Sequence, residues 1–240
     1  MIGSLPLVAM MGTANACVSL YIAGRLYLSY REHAQDAIKY FLNFYALFGV
    51  FHLFFATPQL FLLDQRFAYV VGIFDIVAYF FLNMSLGYLL AIPYEVVGRP
   101  HVARMIVRGT IIYAIFFFIF RIFYFSPSVF EQLSDYVYWR PVFPEGLRLL
   151  TGLISVAVAS IISSFFIRHG MKNRQSPIVM YRSFWLAAGS GMLLIAAIVA
   201  FIVAASGVAS YVLFATSLVL WGLILIMRGV MYAPESTLDI

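Results

Sequence analysis

Seven stretches of the chain run apolar for roughly 20 residues or more, the length that crosses a bilayer as a helix. They lie near residues 5–27, 38–60, 68–92, 104–125, 147–167, 183–206 and 209–230. The third, AYVVGIFDIVAYFFLNMSLGYLLAI, carries the pattern around which the others are read. At helical spacing Gly72, Asp75, Tyr79, Asn83 and Gly87 fall on one face, while the opposite side is Val, Ile, Phe and Leu. A polar stripe on an apolar helix needs polar partners from other helices, because lipid supplies none.

The second stretch offers one set of partners. Tyr45, Gly49, His52, Ala56 and Gln59 share a face by steps of three and four. Measured from the loop that joins the second and third stretches, His52 lies about 12 Å down its helix and Asp75 about 10 Å. The two therefore reach similar depth on consecutive antiparallel helices. Two readings stand: a buried pair that fixes packing, or a pair that binds a proton or ligand. In the first stretch Asn15 shares a face with Gly12 and Ser19 and is expected to hydrogen-bond to a neighbouring helix. In the fourth, Arg121 shares a face with Thr110, Ala114, Phe117 and Tyr124. It can extend to the membrane surface or turn inward toward Asp75.

The residues between these stretches add one element. Ser128 followed by Glu131 fits a capping box, and Phe130, Leu133 and Val137 then recur on one side. This spacing predicts a short interfacial helix near 128–138, with Tyr136, Tyr138 and Trp139 at the headgroup level and Pro141 and Pro144 as its stop. Beyond it the composition changes. The fourth stretch holds eight aromatic residues in the fifteen of IIYAIFFFIFRIFYF, whereas the last three are rich in Ala, Ser and Gly. Ser155, Ala159 and Ser163 are spaced by four, as are Ser183, Ala187 and Gly191, and such rows let helix backbones approach closely. The aromatic fourth helix and the small-residue fifth and sixth are the surfaces expected to meet other membrane subunits or a second copy.

Composition makes the class explicit. Hydrophobic residues are 64% and charged residues 10% of the 240. Soluble chains carry about 25% charged residues. The expected fold is all-α, a polytopic membrane protein with a single seven-helix domain, placed in a plasma or inner membrane. Its first partner is the lipid bilayer. The 15 basic and 10 acidic residues would point to nucleic acid in a soluble domain. Here they report loop bias, and no nucleic-acid partner is expected. With the amino end outside, Arg25, Arg31, Lys39, Arg99, Arg104, Arg108, Arg168, Lys172, Arg174, Arg182 and Arg228 face inward, eleven in all. Arg66, Arg121, Arg140 and Arg148, four in all, face outward. That bias predicts N-outside, C-inside. Arg168, Lys172, Arg174 and Arg182 form the most basic loop region, suited to anionic lipid heads or an acidic partner. The single cysteine, Cys17, excludes an internal disulfide and a cysteine metal cluster.

A shift of about 140 residues lays Ile38, Phe41, Phe44, Tyr45 and Gly49 over Ile178, Tyr181, Phe184, Trp185 and Gly189, which allows a 3+1+3 parallel repeat. The 3+1+3 plan resembles that of small sugar transporters with paired triple-helix bundles. Pro58-Gln59 is similar to their Pro-Gln motif, although no second copy follows. Seven helices in this length, N-outside, also resemble the ground plan of microbial rhodopsins, and GLILIMR is similar to the end of their last helix. Retinal attachment needs a lysine in mid-helix. The matching region, FATSLVLWG, has Leu218 there, and the only lysines, Lys39 and Lys172, lie at helix ends. Covalent retinal is thereby excluded, and no functional residue carries over from either family. No cofactor is predicted, while a non-covalent pigment or lipid stays open.

There is no HExxH, nucleophile elbow, Gly-rich phosphate loop or intramembrane histidine pair, so neither catalysis nor a metal site is expected. Two function classes follow. One is a non-catalytic seven-helix module, a receptor, a sensor or a subunit of a larger complex, with an outer-leaflet polar pocket around Asp75. The other is a small-solute or proton-coupled transporter using the Asp75/His52 layer. The candidate intramembrane site comprises Asp75, His52, Asn15, Tyr79, Asn83 and Arg121.

Overall fold

The computed structural model describes residues 6–132, 137–203 and 209–231. Every apolar stretch is a helix: α1 (Leu7–His33), α2 (Asp36–Phe61), α3 (Ala68–Val96), α4 (Pro100–Phe123), α5 (Glu145–Lys172), α6 (Pro177–Ile198) and α7 (Ala209–Met231). All seven are long and apolar enough to cross a membrane. A π-helical turn, Val199–Val203, extends α6. The last residues expected in that helix, 204–206, lie outside the described residues, as does residue 5. Pro93 does not end α3, which runs three residues further to Val96. A proline this close to a helix end forfeits one backbone bond and leaves the preceding turns intact. Pro100 opens α4, where a missing N–H costs nothing.

The helices pack as a ring. Contacts run from α1 to α2 to α3, on to α5, α6 and α7, and back to α1. α4 lies outside the ring along α3. It buries only Ala103, Ala114, Phe117 and Arg121, and leaves Phe116, Ile119, Ile122 and Phe123 exposed. The small-residue rows of α5 and α6 face one another: the Ser163 hydroxyl donates to the Ala187 carbonyl at 3.1 Å, and Gly191 lies against Ser163. The glycines superposed by the 140-residue shift are used differently. Gly49 approaches Leu20 of α1, whereas Gly189 approaches Gly222 and Ile226 of α7. A 3+1+3 repeat does not relate those two neighbours.

The expected interfacial helix near 128–138 is corrected. Val129–Gln132 and Val137–Arg140 are strands, β1 and β2, paired antiparallel with Val129 opposite Arg140 and Phe130 opposite Trp139. Residues 133–136 lie outside the described residues. Two reasons favour strands. Val-Phe and Val-Tyr-Trp are β-forming residues that pack on a pleated surface. The Ser128 hydroxyl that would have capped a helix is committed elsewhere, to Asp75.

Side chains that reach across the ring close it. Asn15 of α1 donates to the Thr216 carbonyl of α7 at 3.0 Å, and the Tyr45 hydroxyl of α2 donates to the Leu223 carbonyl at 2.8 Å. Two close approaches depend on glycine. A Cβ on Gly87 would stand 2.5 Å from the Thr110 Cβ of α4, and one on Gly189 would stand 2.6 Å from the Gly222 carbonyl oxygen. Because backbone cannot swing aside, Gly189→Ala should cost about 1–3 kcal/mol through overpacking. Gly191→Ala, where the nearest atom is the Ser163 Oγ at 3.7 Å, should be tolerated. Thermal unfolding of the two purified variants, compared with the parent, checks this.

Candidate functional site

At the centre of the ring lies a cavity of about 250 Å³. One wall is aromatic: Phe44, Phe48, Phe51 and Phe55 of α2, with Tyr79, Leu82, Leu86 and Leu89 of α3. The facing wall is small: Ser155 and Ala159 of α5, Ala196 and Ala197 of α6, and Ala215 and Thr216 of α7. The composition change along the chain thus becomes a boundary in space. From Tyr79 to Leu89 the cavity follows α3 for ten residues, about 15 Å of helix. The hairpin roofs it through Tyr138, Arg140 and the following Pro141, Val142 and Phe143. Arg148, in the first turns of α5, completes the rim.

Polar contacts to the α2–α3 connection and the start of α3 hold the hairpin to the bundle. The Trp139 Nε1–H donates to the Leu62 carbonyl at 2.7 Å, and the Phe130 amide donates to Gln65 Oε1 at 2.9 Å. The Ser128 amide donates to the Ala68 carbonyl at 3.2 Å. Residues two apart on a strand share a face. Tyr138 and Arg140 therefore look into the cavity, while Trp139 packs on Ala68 and Val71 behind them. Arg140 is paired with Glu131 across the hairpin. Burial, with the nearby carboxylates of Asp75 and Glu131, holds the Tyr138 phenol above its usual pKa. As a phenol it offers an O–H at the roof near neutral pH.

The sequence-derived site residues divide between two places. Tyr79 and His52 line the cavity. His52 is 3% exposed, packs edge-on to Phe48 with ring centroids 4.8 Å apart, and has no hydrogen bond on either ring nitrogen. Tyr79 meets Phe143 edge-on at 4.6 Å. Asp75 does not line the cavity. It is 1% exposed and accepts a short hydrogen bond, 2.5 Å, from the Ser128 hydroxyl on Oδ2. Arg121 is also 1% exposed. It turns inward, donating from Nη1 to the Val142 carbonyl at 2.8 Å, with its guanidinium 4.3 Å from the centre of the Phe143 ring. No ion pair joins it to Asp75 among the described residues.

Two expectations are corrected here. No hydrogen bond joins His52 to Asp75, because the two face different neighbours: the cavity for His52, the hairpin's entry strand for Asp75. The polar pocket expected around Asp75 is instead a sealed clasp of Asp75, Ser128 and Arg121 that seats the residues leading into and out of the hairpin. The open space beside it is aromatic. Asn15 serves the α1–α7 contact already described. Asn83 is buried between helices, and both ends of its amide lack a partner among the described residues. Arg168, Lys172, Arg174 and Arg182 are exposed where α5 turns into α6, at the end of the bundle opposite the hairpin.

Sequence reasoning missed Phe143, Arg140, Arg148, Ser155 and Thr216. A signal for the arginines was present. Arg66, Arg121, Arg140 and Arg148 are the basic residues that run against the loop-charge bias, and three of them surround the cavity roof. The run of β-forming residues Val137-Tyr138-Trp139 was the second signal, hidden beneath the coincidental helical spacing of Phe130, Leu133 and Val137.

Fold and cavity together define a seven-helix membrane protein with a central, largely apolar chamber. Compared with known proteins, the chain matches no family model, and no curated protein matches it significantly.

The clasp makes a prediction. Ser128→Ala removes the donor from a buried carboxylate and should cost about 1.5–3 kcal/mol, while Ser128→Thr restores the hydroxyl. Hydrogen–deuterium exchange should quicken in Ser128–Gln132 and Val137–Arg140 of the Ala variant and stay unchanged in α6 and α7.

Proposed function

We propose that the chain is a non-catalytic seven-helix receptor or sensor module that binds a small, mainly apolar molecule in the central cavity. The cavity carries this reading. It lies on the axis of the ring, touches five of the seven helices and is roofed by the hairpin. At about 250 Å³ it falls just below the range of about 300–1,000 Å³ common for ligand pockets, and it has their character of apolar walls with a few polar groups. A molecule in contact with α2, α3, α5, α6 and α7 at once can bias how they pack, which is what a sensor needs.

The transporter reading has weaker support. It depended on a His52/Asp75 layer, and the two residues are engaged in separate places. The Tyr45–Leu223 hydrogen bond joins α2 to α7 at the end of the cavity away from the hairpin, where Phe44 and Leu89 line it. The exposed face of α4 suits lipid, or a neighbouring subunit if the module works within a complex. The arcs α1–α3 and α5–α7, with α4 between them in the chain, suit a 3+1+3 plan. Loop charges favour the hairpin outside and both termini's expected orientation, N-outside and C-inside.

Two experiments test these statements. Ala215, 2% exposed, lines the cavity. Ala215→Phe should fill part of it, so solvent extracts of the purified parent should contain a small apolar molecule that the variant lacks. Identical extracts from both, or no such molecule in either, count against the receptor reading. For orientation, Cys17→Ser supplies a cysteine-free background. In intact cells a membrane-impermeant maleimide should label Gln132→Cys and should reach Arg174→Cys only after permeabilisation. The reverse pattern inverts the topology.

A further inference from the structure

The rim of the cavity differs from its walls. Three polar side chains gather under the hairpin, Tyr138, Arg140 and Arg148, while the depth of the chamber toward Leu89 and Phe44 is hydrocarbon and aromatic. The two arginines are not equivalent. Arg140 is neutralised by Glu131. The Arg148 side chain makes no hydrogen bond and no ion pair among the described residues; it is half-buried, with its Nε enclosed. A half-buried guanidinium beside apolar walls, with no counter-charge of its own, is free to meet an anion. Its planar donors suit a carboxylate or phosphate, which it can hold with two parallel hydrogen bonds.

We propose that the cavity takes a single-chain amphiphile with an anionic head. The head sits on Arg148 at the hairpin end, and the tail lies along the aromatic wall of α2. This rests on the central cavity being the ligand site. Size sets the tail. A cavity of about 150 Å³ holds a six-carbon ring, so about 250 Å³ takes on the order of ten carbons. Shape agrees, because the chamber is drawn out along α3 and suits a chain better than a compact ring system. His52, lower on the α2 wall, leaves one donor and one acceptor for a water or a polar group carried in with the chain. A free fatty acid and a phosphate-headed single-chain lipid share this chemistry.

The test is equilibrium binding to the full chain in phosphatidylcholine nanodiscs, corrected against empty nanodiscs, at a pH where carboxylates are ionised. The probes are decanoate, decyl phosphate and decanol. The parent should bind at least one of the two anions saturably and roughly tenfold or more tighter than decanol, the preference a charge-assisted contact supplies. The tighter anion identifies the source, fatty acid or phosphate lipid. Arg148→Gln should erase the preference over decanol while leaving decanol binding unchanged, and Arg148→Lys should retain part of it. Ala215→Phe should abolish binding of all three. Ala159→Leu, a smaller intrusion from α5 on the same wall, should weaken it if the phenylalanine variant does not fold. Equal binding of anions and decanol by the parent, or a preference that survives Arg148→Gln, overturns the head-group assignment and leaves the cavity reading standing. Absence of saturable binding by all three probes overturns both.

Discussion

A carboxylate inside a membrane helix has to be met by the protein, and the hydrogen bond from Ser128 meets Asp75. Much of the hairpin end of the molecule depends on that contact. Ser128 opens the hairpin, so anchoring it to α3 fixes where β1 begins. Arg121, drawn inward to the same region, holds the outgoing chain at the Val142 carbonyl and carries Phe143 beneath its guanidinium. Phe143 in turn packs on Tyr79. The roof of the cavity is thus positioned from a polar clasp that takes no part in lining it. A polar group that lipid cannot satisfy has been turned into the fastening for a surface element that would otherwise be only a long connection.

The cavity itself follows from unequal side chains on facing walls. α2 and α3 present phenylalanines and leucines, and α5, α6 and α7 present alanine, serine and threonine. Helices of small residues approach one another closely, as Ser163 on Ala187 and Gly189 on Gly222 demonstrate. Across the cavity the large residues of α2 and α3 face only these small ones. A ring built from both kinds cannot fill its own centre, and α4, which could have contributed aromatic bulk there, packs on the outside instead. The π turn at Val199–Val203 brings Ala200 and Phe201 to the cavity wall near the roof, where α6 would otherwise have continued its regular spacing.

How much of this was legible follows from which interactions are local. The seven helices were, because a run of about 20 apolar residues has few other uses and helical hydrogen bonds are made within the run. The turn from aromatic to small residues after residue 146 was visible, though its consequence, a chamber between the two kinds of wall, was not. The polar stripe on α3 was seen correctly as needing partners, yet depth alone paired Asp75 with His52, when the actual donor was Ser128, 53 residues on. Depth locates a residue along one axis and says nothing of which neighbour it faces. The hairpin was misread because Phe130, Leu133 and Val137 recur at helical spacing while Val137-Tyr138-Trp139 favours a strand, and in so short a segment tertiary contacts decide. Trp139 on Leu62 and Phe130 on Gln65 are those contacts, and neither leaves a trace in the local pattern.

The ring is closed between the beginning of the chain and its end. The acceptors for Asn15 and Tyr45 lie 201 and 178 residues later, both on α7. During synthesis α1 and α2 are therefore in the membrane with an amide and a phenol that have no native acceptor until the last helix is made. The incoming α7 completes the hydrogen bonding of the first two helices and the small wall of the cavity in one step. A chain cut short before α7 leaves the opening helices with an amide and a phenol that lack these acceptors.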